Sequence, residues 1–346
     1  MKIGNRQIGP GHPVYIIAEM SGNHAHDYEK AVALVHLAKE AGAEAIKLQT
    51  YTADTITLRG GHECFNIRGT IFDGRTLHDL YAEAHMPWEW QPRLKQLAEE
   101  IGLDCFSTPF DFSSVDFLEE MKVPAYKIAS FELVDIPLIE RVARTGKPLI
   151  ISTGMGTLEE IEEAVAAYRR AGGTELALLK CTSAVPAPIE EMNLRALPML
   201  AERFGVVSGL SDHSPGHIAP VVATALGASI VEKHFKFSDE DEGPDVSFSL
   251  APAAFKEMVV AIRSAEKALG DGGWHAVKSD EHSKQFRRSL FAVADVRKGE
   301  IFAEENVRSV RPANGLPPKM LPEILGRKAA RDLTYGTPLA REDVEW

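Results

Sequence analysis

Residues 148–183 read PLIISTGMGTLEEIEEAVAAYRRAGGTELALLKCTS, and this one segment holds a complete strand–helix–strand unit. Leu149, Ile150 and Ile151 form a continuous apolar run that ends on Ser152 and Thr153. Thr157-Leu158-Glu159-Glu160 is a capping box, in which the threonine oxygen and the glutamate carboxylate satisfy each other's backbone amides. Leu158, Ile161, Val165 and Tyr168 then recur at helical spacing along one apolar face, and Gly172-Gly173 stops the helix. A second apolar run, 176–183, ends on Lys180, Thr182 and Ser183. Runs without polar alternation suit strands covered on both faces, as in a parallel sheet with helical crossovers.

The same unit repeats in both directions. Apolar runs at 14–20, 45–50, 104–110, 125–130, 148–154, 176–183, 206–213 and 229–237 are each followed by an amphipathic stretch. Phe255, Met258, Val259, Ile262 and Leu269 give the last helix its stripe. Eight strand–helix units over residues 1–270 predict an α/β fold of the TIM (β/α)8 barrel type. A doubly wound open sheet is the alternative, but no dinucleotide-binding glycine loop follows the first strand. The gap between the second and third runs carries Phe65, Phe72, Tyr81, Trp88 and Trp90 among several glycines. It reads as an elaborated loop over one barrel mouth, where specificity commonly resides. Residues 271–287 read as a linker, and 288–346 as a small β-rich domain with Gly and Pro turns such as Asn314-Gly315 and Pro317-Pro318.

Composition narrows the function classes. The 346 residues carry 38 Lys and Arg against 50 Asp and Glu, a net charge of −12. That balance argues against general nucleic-acid binding, which needs a basic face, while a few lysines in a cleft can still hold an anion. The uncharged stretch 218–231 is too short to span a bilayer. Met1-Lys2-Ile3-Gly4-Asn5-Arg6 leads into no apolar signal core, and Cys64, Cys105 and Cys181 show no metal or disulfide spacing. A cytoplasmic setting is the expectation.

Chemistry in a TIM barrel sits at the C-terminal strand ends. Here those ends are Glu19; Lys47 and Gln49; Ser107 and Thr108; Lys127 and Ser130; Ser152 and Thr153; Lys180, Thr182 and Ser183; Ser211, Asp212 and His213; and Glu232, Lys233 and His234. Lysines and hydroxyls with few competing acids suit a small, highly charged anion such as a phosphate plus a carboxylate. His213 and His234 end adjacent strands, so both imidazoles can reach one divalent cation acting as a Lewis acid. Asp245 lies just past the eighth strand, within reach of the same cation or its water. Each residue also has a structural reading. The lysines can pair with acids such as Glu19, the serines can cap helices, and the histidines can be hydrogen-bonded strand ends.

The segments Ile17-Ala18-Glu19-Met20-Ser21-Gly22-Asn23-His24, Ile46-Lys47-Leu48-Gln49-Thr50, Phe106-Ser107-Thr108-Pro109-Phe110-Asp111, Tyr126-Lys127-Ile128-Ala129-Ser130, Ile151-Ser152-Thr153-Gly154-Met155, Gly209-Leu210-Ser211-Asp212-His213 and Glu232-Lys233-His234-Phe235 occur in this order. This set resembles the sialic acid synthase family, over essentially the whole chain, and the C-terminal part resembles that family's antifreeze-like (SAF) domain. Tyr51-Thr52-Ala53-Asp54-Thr55, Asp73-Gly74-Arg75-Thr76-Leu77-His78-Asp79-Leu80-Tyr81, Pro87-Trp88-Glu89-Trp90 and Gln285-Phe286-Arg287-Arg288-Ser289-Leu290 are similar to the pseudaminic-acid-forming branch.

The resemblance implies a synthase that condenses phosphoenolpyruvate with an acylated amino sugar, 2,4-diacetamido-2,4,6-trideoxy-L-altrose. It implies that Lys47, Thr108, Lys127, Ser130, Ser152, Ser183 and Ser211 hold phosphoenolpyruvate. His213 and His234 would bind Mn²⁺, or Mg²⁺ or Co²⁺. Glu19 and Asp245 would be catalytic, and Gln49 and Arg287 would contact the sugar. It also implies a homodimer with swapped SAF domains, Arg287 acting in trans. In one departure, Val185 stands where the family usually has Tyr before proline, which removes a ring and a hydroxyl from the acceptor side. The alternatives are a manno-type acceptor, giving N-acetylneuraminic or legionaminic acid, and a non-catalytic sugar-binding protein.

Overall fold

The computed structural model describes residues 1–69, 72–275 and 277–346. Thr70 and Ile71, in the expected specificity loop, and Ala276, in the expected linker, lie outside the described residues. The chain forms two compact units, Met1–Gly270 and Asp271–Trp346.

In the first unit, a short antiparallel hairpin, β1 (Lys2–Ile3) with β2 (Arg6–Gln7), turns on Gly4 at φ 54°. Eight parallel strands follow: β3 (Tyr15–Glu19), β4 (Ala45–Thr50), β5 (Asp104–Pro109), β6 (Tyr126–Ile128), β7 (Leu149–Ser152), β8 (Leu176–Cys181), β9 (Val207–Asp212) and β10 (Ile230–His234). They close into a barrel in chain order, with β10 pairing back onto β3. All eight expected runs are strands of that barrel.

Strand periodicity divides the packing. Ile16 and Ala18 of β3 and Ile46 and Leu48 of β4 face outward onto Leu34, Val35 and Phe255 from the surrounding helices. Their neighbours Tyr15, Ile17 and Ala45 point the other way and join Phe106, with Ile3 and Ile8 from the hairpin segment. The hairpin was not anticipated, because two-residue strands carry no periodic signal. The helix Leu158–Arg170 starts at Thr157 with both capping-box bonds present, and its Ile161, Val165 and Tyr168 are buried. The long connection after β4 is elaborated as expected, with helices Ala53–Ile56 and Leu77–Ala84.

Among its described residues the second unit has one regular sheet, β11 (Ser289–Ala292) antiparallel to β12 (Val307–Val310). Isolated bridges Val296↔Leu333, Ile301↔Lys328 and Ala329↔Val344 supply further pairing. Its core gathers Leu290, Val296, Phe302, Val307, Ile324, Leu333 and Leu339. The segment 271–287, expected as a linker, falls within this second unit. It contains short 3₁₀ turns at Lys278–Asp280 and His282–Phe286, and Gln285 accepts a backbone bond from Ala313 at 3.0 Å.

Candidate active site

Barrel register assembles the strand ends. Glu19 pairs in register with Lys47 on one side and His234 on the other. Gln49 stands beside Thr108, and Ser211 lies between Cys181 and Glu232. Residues far apart in sequence therefore meet at one end of the barrel.

At the centre lie four buried charges. Lys47 Nζ is 2.5 Å from Glu19 Oε2 and 3.7 Å from Glu232 Oε1, and it donates to Thr108 Oγ1 at 2.9 Å. Lys127 Nζ is 3.6 Å from Glu232 Oε1 and donates to Ser152 Oγ at 2.6 Å. The expectation of few competing acids is thus corrected, since two carboxylates stand among the lysines. Physically, two ammonium groups this deep in a barrel need counter-charges to be stable there. Burial raises Glu19 to about 7, against the pull of Lys47 and helped by Glu232. Burial also opposes ionisation of Glu232, but Lys127 and Lys47 outweigh it and hold that carboxyl below its ordinary range. Two carboxylates whose surroundings push their proton affinities apart are suited to different roles.

Beside Lys127 the hydroxyls form a cradle. Gly154 donates its backbone N–H to Ser130 Oγ at 3.1 Å. A Cβ at Gly154 would stand 2.1 Å from Ser183 Oγ and 2.8 Å from Ser130 Oγ, so only glycine lets both hydroxyls approach. Ser183 Oγ is buried with no partner among the described residues, which leaves a donor available to an incoming oxygen. Ser211 Oγ faces Glu232 at 3.4 Å.

The imidazoles of His213 and His234 lie 5.2 Å apart, both against Phe248. His213 Nδ1 is 3.0 Å from the Thr182 carbonyl, which can only accept, so Nδ1 carries a proton. Burial opposes charging of the ring, but Cys181 and that carbonyl raise it to about 8, so Nε2 meets a cation by giving up a proton. Burial and the neighbouring His213 hold His234 neutral, and its Nδ1 has no partner among the described residues. Two fixed imidazoles, one of which gives up a proton on binding, fit a divalent cation whose other positions come from water or substrate. No cluster of three or more protein ligands occurs among the described residues.

Asp245 is directed to the loop after β3, where Oδ2 accepts from Ser21 Oγ and, at 3.3 Å, from Gly22 N. Gln49 Nε2 donates to Glu19 Oε1 and Ser21 Oγ, each at 3.0 Å, linking the two expected catalytic acids through one amide and one hydroxyl. Arg287 belongs to the second unit, just after its 3₁₀ turn. Asp212 orients its neighbours: it accepts from Lys233 Nζ at 2.6 Å and from Ser214 N at 2.9 Å.

Two acids escaped the sequence reading. Glu232 was noted as a strand end but given no role, although alternation along β10 puts it on the same face as His234. Glu132 closes the 3₁₀ turn Ser130–Glu132 after β6. Its Oε2 is buried without a partner among the described residues, and burial raises its carboxyl to about 7. Its spacing two residues past Ser130 was the only available signal.

Comparison with known proteins gives the same picture. The NeuB family matches residues 34–273 and the SAF domain matches residues 287–345. Over 343 residues the chain is 46% identical to a pseudaminic acid synthase of Campylobacter jejuni, covering 99% of each. It is 44% identical over 334 residues to a pseudaminic acid synthase of Helicobacter pylori, covering 96% of this chain and 98% of the other. Among solved structures, the N-acetylneuraminic acid synthetase of Leptospira borgpetersenii is similar with a TM-score of 0.73 and 31% identity, over 82% of this chain and 94% of that one. The chain, a closed eight-stranded barrel followed by a SAF domain, is a member of the NeuB family.

Proposed function

We propose that this enzyme condenses phosphoenolpyruvate with 2,4-diacetamido-2,4,6-trideoxy-L-altrose to give pseudaminic acid and phosphate. The observation that carries the reading is the mouth itself, which gathers two buried lysines, the Gly154 cradle and two imidazoles. The near-full-length similarity to the Campylobacter and Helicobacter synthases supports this acceptor over a manno-type sugar. The acid–base groups at the mouth favour an enzyme over a sugar-binding protein.

In this reading Lys47, Thr108, Lys127, Ser130, Ser152, Ser183 and Ser211 hold the phosphate and carboxylate of phosphoenolpyruvate. Each lysine exchanges part of its carboxylate pairing for the substrate's charge. C3 of phosphoenolpyruvate attacks the aldehyde carbon, water adds to the resulting cationic C2, and phosphate leaves with its bridging oxygen by C–O cleavage. Glu19, near neutrality in its proton affinity, takes a proton from the attacking water. Asp245 holds Ser21 and orients the sugar side, and Gln49 keeps Glu19 in place while meeting the acceptor. His213 and His234 hold a divalent cation, Mn²⁺ in first place, which when bound polarises the acceptor carbonyl as a Lewis acid. The active form is a homodimer with exchanged SAF domains, in which Arg287 reaches the sugar from the partner chain. The free cysteines fit a reducing cytoplasm.

The test is incubation with phosphoenolpyruvate carrying ¹⁸O in the bridging position and a panel of acylated hexoses. The L-altrose derivative should give the product mass, with the label in released phosphate. Label retained in the sugar product would overturn C–O cleavage, and turnover of a manno-type sugar alone would overturn the acceptor. Chelation should abolish turnover and Mn²⁺ should restore it. Full activity after exhaustive chelation would remove the metal from the reading.

A further inference from the structure

We infer that His26 and His85 form a second site for a transition-metal cation, Zn²⁺ first, on the rim of the barrel mouth and apart from His213 and His234. His26 lies in the connection from β3 to the helix Tyr28–Glu40, and His85 in the connection from β4 to the helix Gln91–Glu100. Both are strand-to-helix connections, so both belong to the C-terminal face.

The two rings stand edge to face, with centroids 4.8 Å apart. His85 Nδ1 is 3.0 Å from the Ala82 carbonyl. That contact needs a proton on Nδ1, so Nε2 carries the lone pair, the arrangement found in metal-ligating histidines. The His26 ring makes no hydrogen bond among the described residues, and its nitrogens are open to a ligand. The backbone beneath it is held rather than loose. Ala25 and His26 both take left-handed φ values, 50° and 55°, which non-glycine residues keep only where the surroundings enforce them. His26 N donates to Nδ1 of the fully buried His24 at 3.0 Å, and Asp27 N donates to His24 O at 2.9 Å. The two connections also touch directly, since a Cβ on Gly22 would lie 3.3 Å from Ala84 O. The imidazoles are thus preorganised on packed segments.

His24 is not placed as a third ligand: its Nδ1 accepts the His26 amide, so its Nε2 bears the proton, and that N–H is buried without a partner among the described residues. Two imidazoles completed by water select ions that prefer nitrogen, Zn²⁺, Cu²⁺ and Ni²⁺, over Mg²⁺ or Mn²⁺. Occupancy would tether the loop after β3, which carries Ser21 and through it Asp245.

Equilibrium dialysis of the full chain against micromolar free Zn²⁺ at pH 7.5, with metal content measured per chain, tests this. His26→Asn, which tolerates the left-handed backbone, and His85→Gln should each bind one equivalent fewer than wild type. His234→Ala combined with His26→Asn should bind one fewer than His234→Ala alone, which separates this site from the other histidine pair. His26→Asn binding as much Zn²⁺ as wild type, or His85→Gln losing nothing while remaining folded, overturns the proposal.

Discussion

Burial holds the Glu132 carboxyl at about 7, although its backbone hydrogen bond and Lys127 both pull downward. A folded-state value above the unfolded 4.5 means that this group's contribution to stability is full below pH 4.5 and is lost as pH rises through about 7. Glu132→Gln should therefore melt higher than wild type at pH 8 and the same at pH 4.5. Parallel melting curves across that range would show that the carboxyl is not held protonated. The buried lysines call for a different argument. Lys47→Met strands Glu19 and part of Glu232, and breaking a buried pair costs about 3–5 kcal/mol. Adding Glu19→Gln should recover much of that loss in a denaturant melt, yet restore none of the phosphoenolpyruvate affinity seen by calorimetry. Recovery of both would make Lys47 a structural residue.

At the scale of elements, the loop leaving β7 does two jobs within a few residues. Gly154 brings Ser130 and Ser183 together, and Thr157 begins the next helix with a capping box. Gly154→Ala would push a methyl group between the two hydroxyls. It should raise KM for phosphoenolpyruvate about tenfold or more, equivalent to losing a charge-assisted hydrogen bond of about 1.5–3 kcal/mol, with little change in Tm. Thr157→Ala should do the reverse, lowering stability by about 1 kcal/mol and leaving KM alone. If the two variants behave alike, the loop is a single structural unit and the cradle has no separate role.

At the scale of the whole molecule, the chain divides into a barrel unit, Met1–Gly270, and a second unit, Asp271–Trp346, whose residues 287–345 match the SAF domain. With Arg287 on the second unit and Glu19 in the barrel, sharing of the site between chains can be tested by mixing. In a swapped heterodimer of Arg287→Ala and Glu19→Ala chains, one site carries both defects and the other neither, so subunit exchange should return part of the activity. Verified exchange with no return, from folded and inactive parents, would place Arg287 within its own chain's reaction or outside it. Truncation before Gln285 should leave a folded barrel that binds phosphoenolpyruvate and barely turns over the sugar.

The barrel could be read from the chain because each strand is buried on both faces. Runs such as 148–154 must then be apolar until they reach the mouth, where Ser152 or Lys127 appears abruptly. Helix starts were equally legible at Thr157, because capping is a local matter of a few residues. The partners of the charges were not legible. Whether Lys127 meets Ser152, Glu232 or a substrate depends on strand register and closure, which join Lys127 to Ser152 on the next strand and to Glu232 on the last. Glu132 was missed because a 3₁₀ turn, not strand alternation, aims its side chain. The apposition of His26 and His85 likewise arises only where two connections pack against each other. Local periodicity determined the elements, and the closing of the barrel decided which side chains share a dielectric and a proton.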